Sequence, residues 1–357
     1  MNVKLELSNN LKAKPTWGKD KLGFGKILTD HMLLIDYNSD EGWHGARVVP
    51  YAPLQLDPAA GCLHYGQLIF EGMKAYKGDD GKIALFRPQE NMRRLNESGW
   101  RMCIPPIDES YLLGALSKLI EVEKDWVPPM AGSSLYIRPF ILSTEAFLGV
   151  KPSDTYLLCA ILSPVESYYS GGLAPVDIYV EEEYVRAAKG GTGYAKCAGN
   201  YAAAMRSQVG AQKQGFAQVL WLDAVHRKYV EEVGAMNTFF IIDGVAVTPE
   251  LNGSILPGIT RKSVIEILHG WGIPVEERLI SIDELADAHA KGKLQEAFGT
   301  GTAAAISPIG SLTWGGNTMQ ISGGNIGDIT QKLYDELLGI QFGSRADTRD
   351  WRTVVVE

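Results

Sequence analysis

The stretch from residue 218 to 248 constrains the fold more than any other. Four short strand-like runs follow one another there in meander order, at 218–222, 229–233, 238–242 and 245–248. The last two flank Asp243-Gly244, a dipeptide suited to a two-residue hairpin whose turn residues both take positive φ. Meander strands beside separate helical stretches predict an α+β fold rather than a doubly wound sheet.

Residues 27–36 and 83–86 also read as strands, the second behind a turn at Gly78-Asp79-Asp80-Gly81. Apolar spacing predicts helices over 90–101 and 110–122; in the latter, Leu112, Leu113, Leu116, Leu119 and Ile120 fall on one face. Strands follow at 134–142 and 155–162. Residues 163–172 then interrupt pattern and composition together, with turn formers around two tyrosines, as at a hinge. The expected division is a first domain over 1–165, an interdomain loop over 166–174 and a second domain over 175–357. The second restarts with a strand at 176–180. Asn200 is expected to cap a helix running to about residue 214, closed by Gly215. A helix through 268, a strand at 294–298 and a closing helix at 330–340 complete the reading.

Composition excludes several classes. The 357 residues, 45% hydrophobic and 21% charged, suffice for a full-sized core. A net charge of −8 lacks the basic stripe that nucleic acid requires. Cys62, Cys103, Cys159 and Cys197 lie far apart, without zinc-ligand spacing or the density of a disulfide scaffold, and no H-E-x-x-H is present. An acid at Glu6 interrupts any signal-like start, and no apolar run approaches the roughly 18 residues of a membrane span. A reduced, cytoplasmic, metal-free protein is expected.

Nucleotide motifs fail. No G-x-x-x-x-G-K-[ST] occurs, and Gly299-x-Gly301-x-x-Ala304 meets Pro308 where a long helix should run, with Gln320 and Ile321 where an acid should stand. Lys196 is more informative, set among glycines and small residues just before a helix. Local features alone leave two readings open. It is either a solvated lysine at a helix start, or an amine whose pKa is lowered by the helix end and partial burial, a Schiff-base nucleophile. Pro257-Gly258-Ile259-Thr260 at a helix start, and Gly299-Thr300-Gly301-Thr302, each fit either an anion site or a tight turn. In the latter, glycine would let the backbone approach a ligand. A reactive lysine with two phosphate-type loops is the equipment for pyridoxal phosphate.

Ordered landmarks from Trp17 to Phe342 turn this into a resemblance. They are Phe24-Gly25-Lys26…Thr29-Asp30-His31-Met32, His64-Tyr65…Phe70-Glu71-Gly72-Met73-Lys74-Ala75, Ser134-Leu135-Tyr136-Ile137-Arg138-Pro139, Lys196…Gly199-Asn200-Tyr201, Glu232-Val233-Gly234…Met236-Asn237, Leu251-Asn252-Gly253…Ile255-Leu256-Pro257-Gly258 and Phe298-Gly299-Thr300-Gly301-Thr302-Ala303. In these the chain resembles the branched-chain amino-acid aminotransferases, within the fold-type IV pyridoxal-phosphate enzymes. The resemblance implies a small N-terminal α/β domain and a larger cofactor-binding domain with a mainly antiparallel, barrel-like sheet. It also implies a homodimer with shared active sites. The nearest alternatives in the fold, a D-amino-acid aminotransferase or an aminodeoxychorismate lyase, do not match the 134–139 segment. A ligand-binding protein without catalysis is disfavoured by the joint presence of Lys196, Glu232, Tyr201 and Arg94.

Roles carry over by position. Lys196 resembles the lysine that bears the cofactor and then moves the proton. Glu232 resembles the partner of the pyridine nitrogen, whose protonation makes the ring a better electron sink. Its neighbour Glu231, on the other face of a strand, is expected to be solvated. Tyr201 resembles the partner of the ring hydroxyl oxygen. Arg94 matches the phosphate-binding arginine, with Arg93 a rival on sequence alone, and Ile259, Thr260 and Thr302 are the further phosphate donors. Leu256 is expected on the ring face. Phe24, Tyr65, Tyr136, Val150 and Tyr168 are the pocket walls, Tyr65 and Val150 reaching across from a partner subunit. Arg138 is the receptor for a distal carboxylate, and Ala303 and Ala304 offer N–H groups to the α-carboxylate. The implied reaction is a ping-pong exchange between leucine, isoleucine or valine and 2-oxoglutarate. Two departures stand out. Ala304 and Ser307 occupy the places of a C-x-x-C pair found in animal members, and Ala235 replaces a threonine.

Overall fold

The computed structural model describes residues 3–166 and 173–357. Contacts divide the chain into two units, one of residues 1–168, 195–198 and 338–357, the other of 169–194 and 199–337. The expected bounds place both 195–198 and 338–357 in the second domain. Local pairing explains the difference. Phe70 N donates to Lys196 O (3.0 Å), Lys196 N donates to Ser98 Oγ (2.9 Å), and the C-terminal strand joins the first sheet.

The first unit is built on one sheet. Its strands are β1 (Lys4–Leu5), β2 (His31–Asn38), β3 (Gly42–Pro50), β4 (Leu68–Phe70), β5 (Met73–Lys77), β6 (Ile83–Phe86), β7 (Ser134–Ser143) and β8 (Thr155–Val165). They run in the order β1-β3-β2-β8-β7-β5-β6, antiparallel except for β1 against β3. Strands β4 and β5 pair in one register along β7, interrupted at Glu71-Gly72. Helices α2 (Pro88–Arg101) and α3 (Glu109–Val122) follow the short α1 (Gly61–Tyr65). Leu112, Ala115, Leu116, Leu119 and Ile120 of α3 are buried at the i, i+3, i+4 spacing that seats a helix on a sheet. Asp108 starts α3 by accepting from Tyr111 N at 2.6 Å. Helix α2 buries Met92 and Leu95 in its stripe, and with them the polar Asn91, Arg94 and Ser98.

The second unit holds β9 (Val176–Glu181), α4 (Ala198–Lys213), β10 (Gln218–Leu222), β11 (Val230–Val233), β12 (Met236–Ile242), β13 (Val245–Pro249), α5 (Ile259–Gly270), β14 (Val275–Arg278), α6 (Ile282–Ala290), β15 (Leu294–Gly301), β16 (Ala305–Trp314) and β17 (Asn317–Gln320). Strands β11-β10-β9-β16-β15-β12 close on themselves through the β11–β12 pairing, a barrel-like sheet extended by β13, β14 and β17. This is the α+β, mainly antiparallel architecture expected. Asp243 (φ 51°) and Gly244 (φ 81°) both take positive φ between β12 and β13, as the hairpin requires. Helix α7 (Asp328–Phe342) and strand β18 (Arg352–Val356) end the chain, β18 pairing with β6.

Two local expectations change. Helix α4 begins before Asn200, whose carboxamide bonds Thr192 on both sides instead of capping: Nδ2 donates to Thr192 O (2.8 Å) and Oδ1 accepts from Thr192 Oγ1 (2.7 Å). Pro308 lies within strand β16, opposite Phe298, so the glycines at 299 and 301 end a strand that is followed by another strand. Strands β1, β3, β4, β5, β14, β16, β17 and β18 are not picked out by the pattern.

Candidate active site

Lys196 is bracketed by buried charge. Its Nζ lies 4.7 Å from the centre of the Phe70 ring. Burial first, and then the positive charge of Arg94, lower its pKa to about 8, against the opposing pull of Glu71 and Tyr136. Of the two readings left open by the sequence, this environment supports the activated amine.

Arg94 and Glu71 form a two-pronged pair, Nε to Oε1 at 2.7 Å and Nη2 to Oε2 at 2.9 Å. Burial alone would raise the Glu71 carboxyl; Arg94, Lys196 and Asn91 together hold it below the usual range. Asn91 Nδ2 adds a bond to Oε2 at 2.8 Å. Arg93 instead projects outward and pairs with Glu90 at 3.3 Å. The strand interruption at Glu71-Gly72 is what turns this glutamate toward α2. Gly72 is obligatory there, since a Cβ would stand 2.1 Å from the Tyr136 hydroxyl.

On β7, Tyr136 and Arg138 share a face, and Arg138 Nη2 donates to Tyr136 Oη at 2.8 Å. The Arg138 guanidinium lies over the Phe70 ring at 4.6 Å, its Nε buried with no hydrogen-bond partner among the described residues. Phe24 packs edge-on against Tyr136, centroids 4.8 Å apart. Tyr65 and Val150 stand apart from this group. Tyr65 donates to Leu148 O, and Val150 is 83% exposed, beside the exposed Leu63, Phe147 and Leu148. Tyr168 lies outside the described residues.

The second unit carries a different set. Glu232 on β11 faces Asn237 across the hairpin to β12 and is 3% exposed. Its Oε1 accepts from Leu256 N at 2.8 Å, with Asn237 Nδ2 at 3.5 Å. Asn237 Nδ2 also donates to Leu256 O at 2.9 Å, which clamps the turn before α5. A Cβ at Gly258 would meet Asn237 Oδ1 at 1.9 Å, so only glycine fits. Gly258 caps α5 with no side-chain acceptor, leaving the first N–H groups of the helix, those of Ile259 and Thr260 among them, suited to an anion. Tyr201 lies in the first turns of α4, and Thr302, Ala303 and Ala304 form the loop between β15 and β16, ahead of Ala305 at φ 57°.

One expectation fails here. Glu231 is not solvated: it is 3% exposed, its Oε1 lies within hydrogen-bonding distance of Ser254 Oγ, and burial pushes it up to about 7. Every residue of β11 is buried, so strand alternation gives no wet face. Gly299 and Gly301 are also closely packed: a Cβ would come within 2.9 Å of Val233 Cγ1 at the first and 3.2 Å of Met236 Cγ at the second. Glu71, Asn237 and Arg186 had no assigned role. The first two lie in the recognised landmarks, and Arg186 carries no sequence signal.

The sequence profile of the amino-transferase class IV family matches residues 68–312. The chain belongs to this family. Among its relatives, "Branched-chain-amino-acid aminotransferase 2" of Bacillus subtilis is 55% identical, over 99% of this chain and 97% of that one. The branched-chain amino acid aminotransferase of Escherichia coli superposes with a TM-score of 0.76 at 27% identity, covering 91% of this chain and 99% of that chain. The T.th. branched-chain amino acid aminotransferase complexed with N-(5'-phosphopyridoxyl)-L-glutamate gives a TM-score of 0.74 at 26% identity, over 90% and 98%. Among the described residues no helix is long and apolar enough to cross a membrane.

Proposed function

We propose that this family member is a branched-chain amino-acid aminotransferase, moving the amino group of leucine, isoleucine or valine to 2-oxoglutarate reversibly through pyridoxal phosphate. The observation that carries the reading is Lys196, an amine desolvated to a pKa of about 8 among Arg94, Glu71 and Arg138. The likeness to the Bacillus subtilis enzyme runs almost end to end and supports the same reaction. The donor set suits the cofactor: an amine for its aldehyde, an uncapped helix start and an arginine for its phosphate, and a carboxylate for its ring nitrogen.

Pyridoxal phosphate, when bound, supplies an electron sink for the charge that develops at the substrate's α-carbon. Lys196 Nζ would hold the cofactor's aldehyde, and as a free amine of lowered pKa it can accept and return a proton. Glu232 would hold a proton at the ring nitrogen, and Tyr201 would bond the ring oxygen. Arg94, the N–H groups of Ile259 and Thr260, and Thr302 would serve the phosphate, and Leu256 would pack against the ring. Phe24 and Tyr136 would exclude water around a branched side chain. Arg138 receives the distal carboxylate of 2-oxoglutarate or glutamate, stacked on Phe70 and tied to Tyr136. Ala303 and Ala304 offer N–H groups to the α-carboxylate.

The chain works as a homodimer in the cytoplasm. The apolar surface of Leu63, Tyr65, Phe147, Leu148 and Val150 suits burial against a second copy, and Tyr65 and Val150 then complete that copy's pocket.

Lys196→Ala tests the assignment. Turnover falls by about a thousandfold or more, while circular dichroism and the urea midpoint hold. In the unchanged chain, borohydride fixes the cofactor on the peptide containing residue 196. Retained turnover in the variant, or cofactor fixed elsewhere, overturns the reading.

A further inference from the structure

Three ionisable side chains are buried together beside β11. Arg186 is 8% exposed, and Glu231 and Glu232 are each 3% exposed. Arg186 Nη2 donates to the carbonyls of Gly193, at 3.2 Å, and Ser254. Its Nε lies 3.2 Å from Glu232 Oε2 but outside hydrogen-bond alignment. A buried guanidinium requires a counter-charge, and two adjacent carboxyls compete for this one.

Ser254 resolves the competition. Its Oγ lies within bonding distance of both Glu231 Oε1 and Asn252 Oδ1, the latter at 2.7 Å. A hydroxyl has one proton, so it cannot donate to both. Both contacts are satisfied when Glu231 is the protonated acid and donates to Ser254 Oγ, which donates in turn to Asn252 Oδ1. Burial pushes Glu231 in that direction and outweighs the opposing Ser254 contact and the pull of Arg186, with the negative charges of Glu232 and Asp223 adding to it. A neutral Glu231 leaves the charge of Arg186 to Glu232.

We propose that Arg186 is a positioning residue that acts through Glu232, its guanidinium fixing that carboxylate's charge and its aim at the ring nitrogen of pyridoxal phosphate. The inference rests on the reading of Glu232 as the ring-nitrogen partner. Leu256 N–H and Asn237 hold Oε1, and Arg186 stands at Oε2, so the carboxylate is fixed from both sides.

The test uses cofactor-loaded enzyme carrying Arg186→Met, Arg186→Lys or Glu232→Gln. The absorbance of the bound cofactor is titrated with pH, and kcat and KM for leucine are measured. Arg186→Met is expected to lower kcat about tenfold or more with KM changed less than about threefold, and to displace the absorbance midpoint by about half a pH unit or more. Arg186→Lys, which keeps the charge, restores the midpoint to within about 0.2 unit. A purely structural role for Arg186 predicts a lower Tm with an unmoved midpoint. That outcome in Arg186→Met beside a displaced Glu232→Gln overturns the inference alone, as does a midpoint displaced in Arg186→Lys as far as in Glu232→Gln. An unmoved midpoint in Glu232→Gln overturns the reading of Glu232 itself.

Discussion

The residue set around Lys196 and the set around Glu232 are built in opposite ways. In the first, side chains hold side chains: Glu71 takes two bonds from Arg94 and one from Asn91, and Arg138 is tied to Tyr136. In the second, the backbone does much of the holding. Glu232 takes the Leu256 N–H, Arg186 donates to two carbonyls, and α5 starts with no side-chain cap. The carboxyls show the consequence. Glu71 is held below its usual range by a matched guanidinium, whereas Glu231, whose one hydrogen-bonding side chain is a hydroxyl, is pushed up to about 7. Burial drives a group toward its neutral form unless a partner of opposite charge is matched to it.

The largest effect that would break this contrast is at Glu71. Glu71→Ala leaves the Arg94 guanidinium buried without its two acceptors, and removing one member of a buried pair costs about 3–5 kcal/mol. Urea unfolding at neutral pH is expected to show that loss. It should also lower the pKa of Lys196 further, because Glu71 opposes the depression that Arg94 causes. A loss of less than about 1 kcal/mol would mean that the pair adds little and that the two sets are alike.

Glu231→Gln sharpens the contrast from the other side. The folded carboxyl titrates near 7 against an ordinary value of 4.5. Below about pH 4.5 it is protonated folded and unfolded, and has no effect on the slope. Between the two values only the folded chain keeps the proton, so stability falls as pH rises, by about 3 kcal/mol in all. Above 7 the slope vanishes. Glu231→Gln removes this dependence, so the variant gains on the unchanged chain between pH 5 and 8. Parallel stability curves for the two chains would show that Glu231 does not titrate in this range.

How much was legible follows the same division. Asp243-Gly244 declared its hairpin because two positive φ angles leave few other choices of residue. Lys196 and Glu232 could be placed because ordered landmarks fix their positions, whereas Arg94, outside those landmarks, is told from Arg93 only by its burial. Glu231 was misread because alternation along a strand implies a wet face only where one side of the sheet is open. Gly299 and Gly301 showed that glycine was needed, though not that Val233 and Met236 were the reason. Arg186 was invisible, since its partners are two carbonyls and a carboxylate more than forty residues along the chain.

The smallest expected effect separates two adjacent arginines that the sequence could not. Helix α2 buries 91, 92, 94, 95, 98 and 99, and this phase turns Arg94 toward Glu71 and Arg93 toward water. The Arg93 side chain is 54% exposed, and its pair with Glu90 is an i, i+3 contact at 3.3 Å. Such pairs contribute a few tenths of a kcal/mol, and alanine recovers part of that through its helix propensity. Arg93→Ala is therefore expected to shift stability by less than about 0.5 kcal/mol and to leave cofactor affinity within about twofold. Arg94→Ala should weaken cofactor binding and unfold at lower urea, because it strands Glu71 without its counter-charge. Equal losses of affinity in the two variants, followed by the absorbance of bound cofactor, would show that the phosphate is held from the outer face of α2 and that the buried pair serves stability alone.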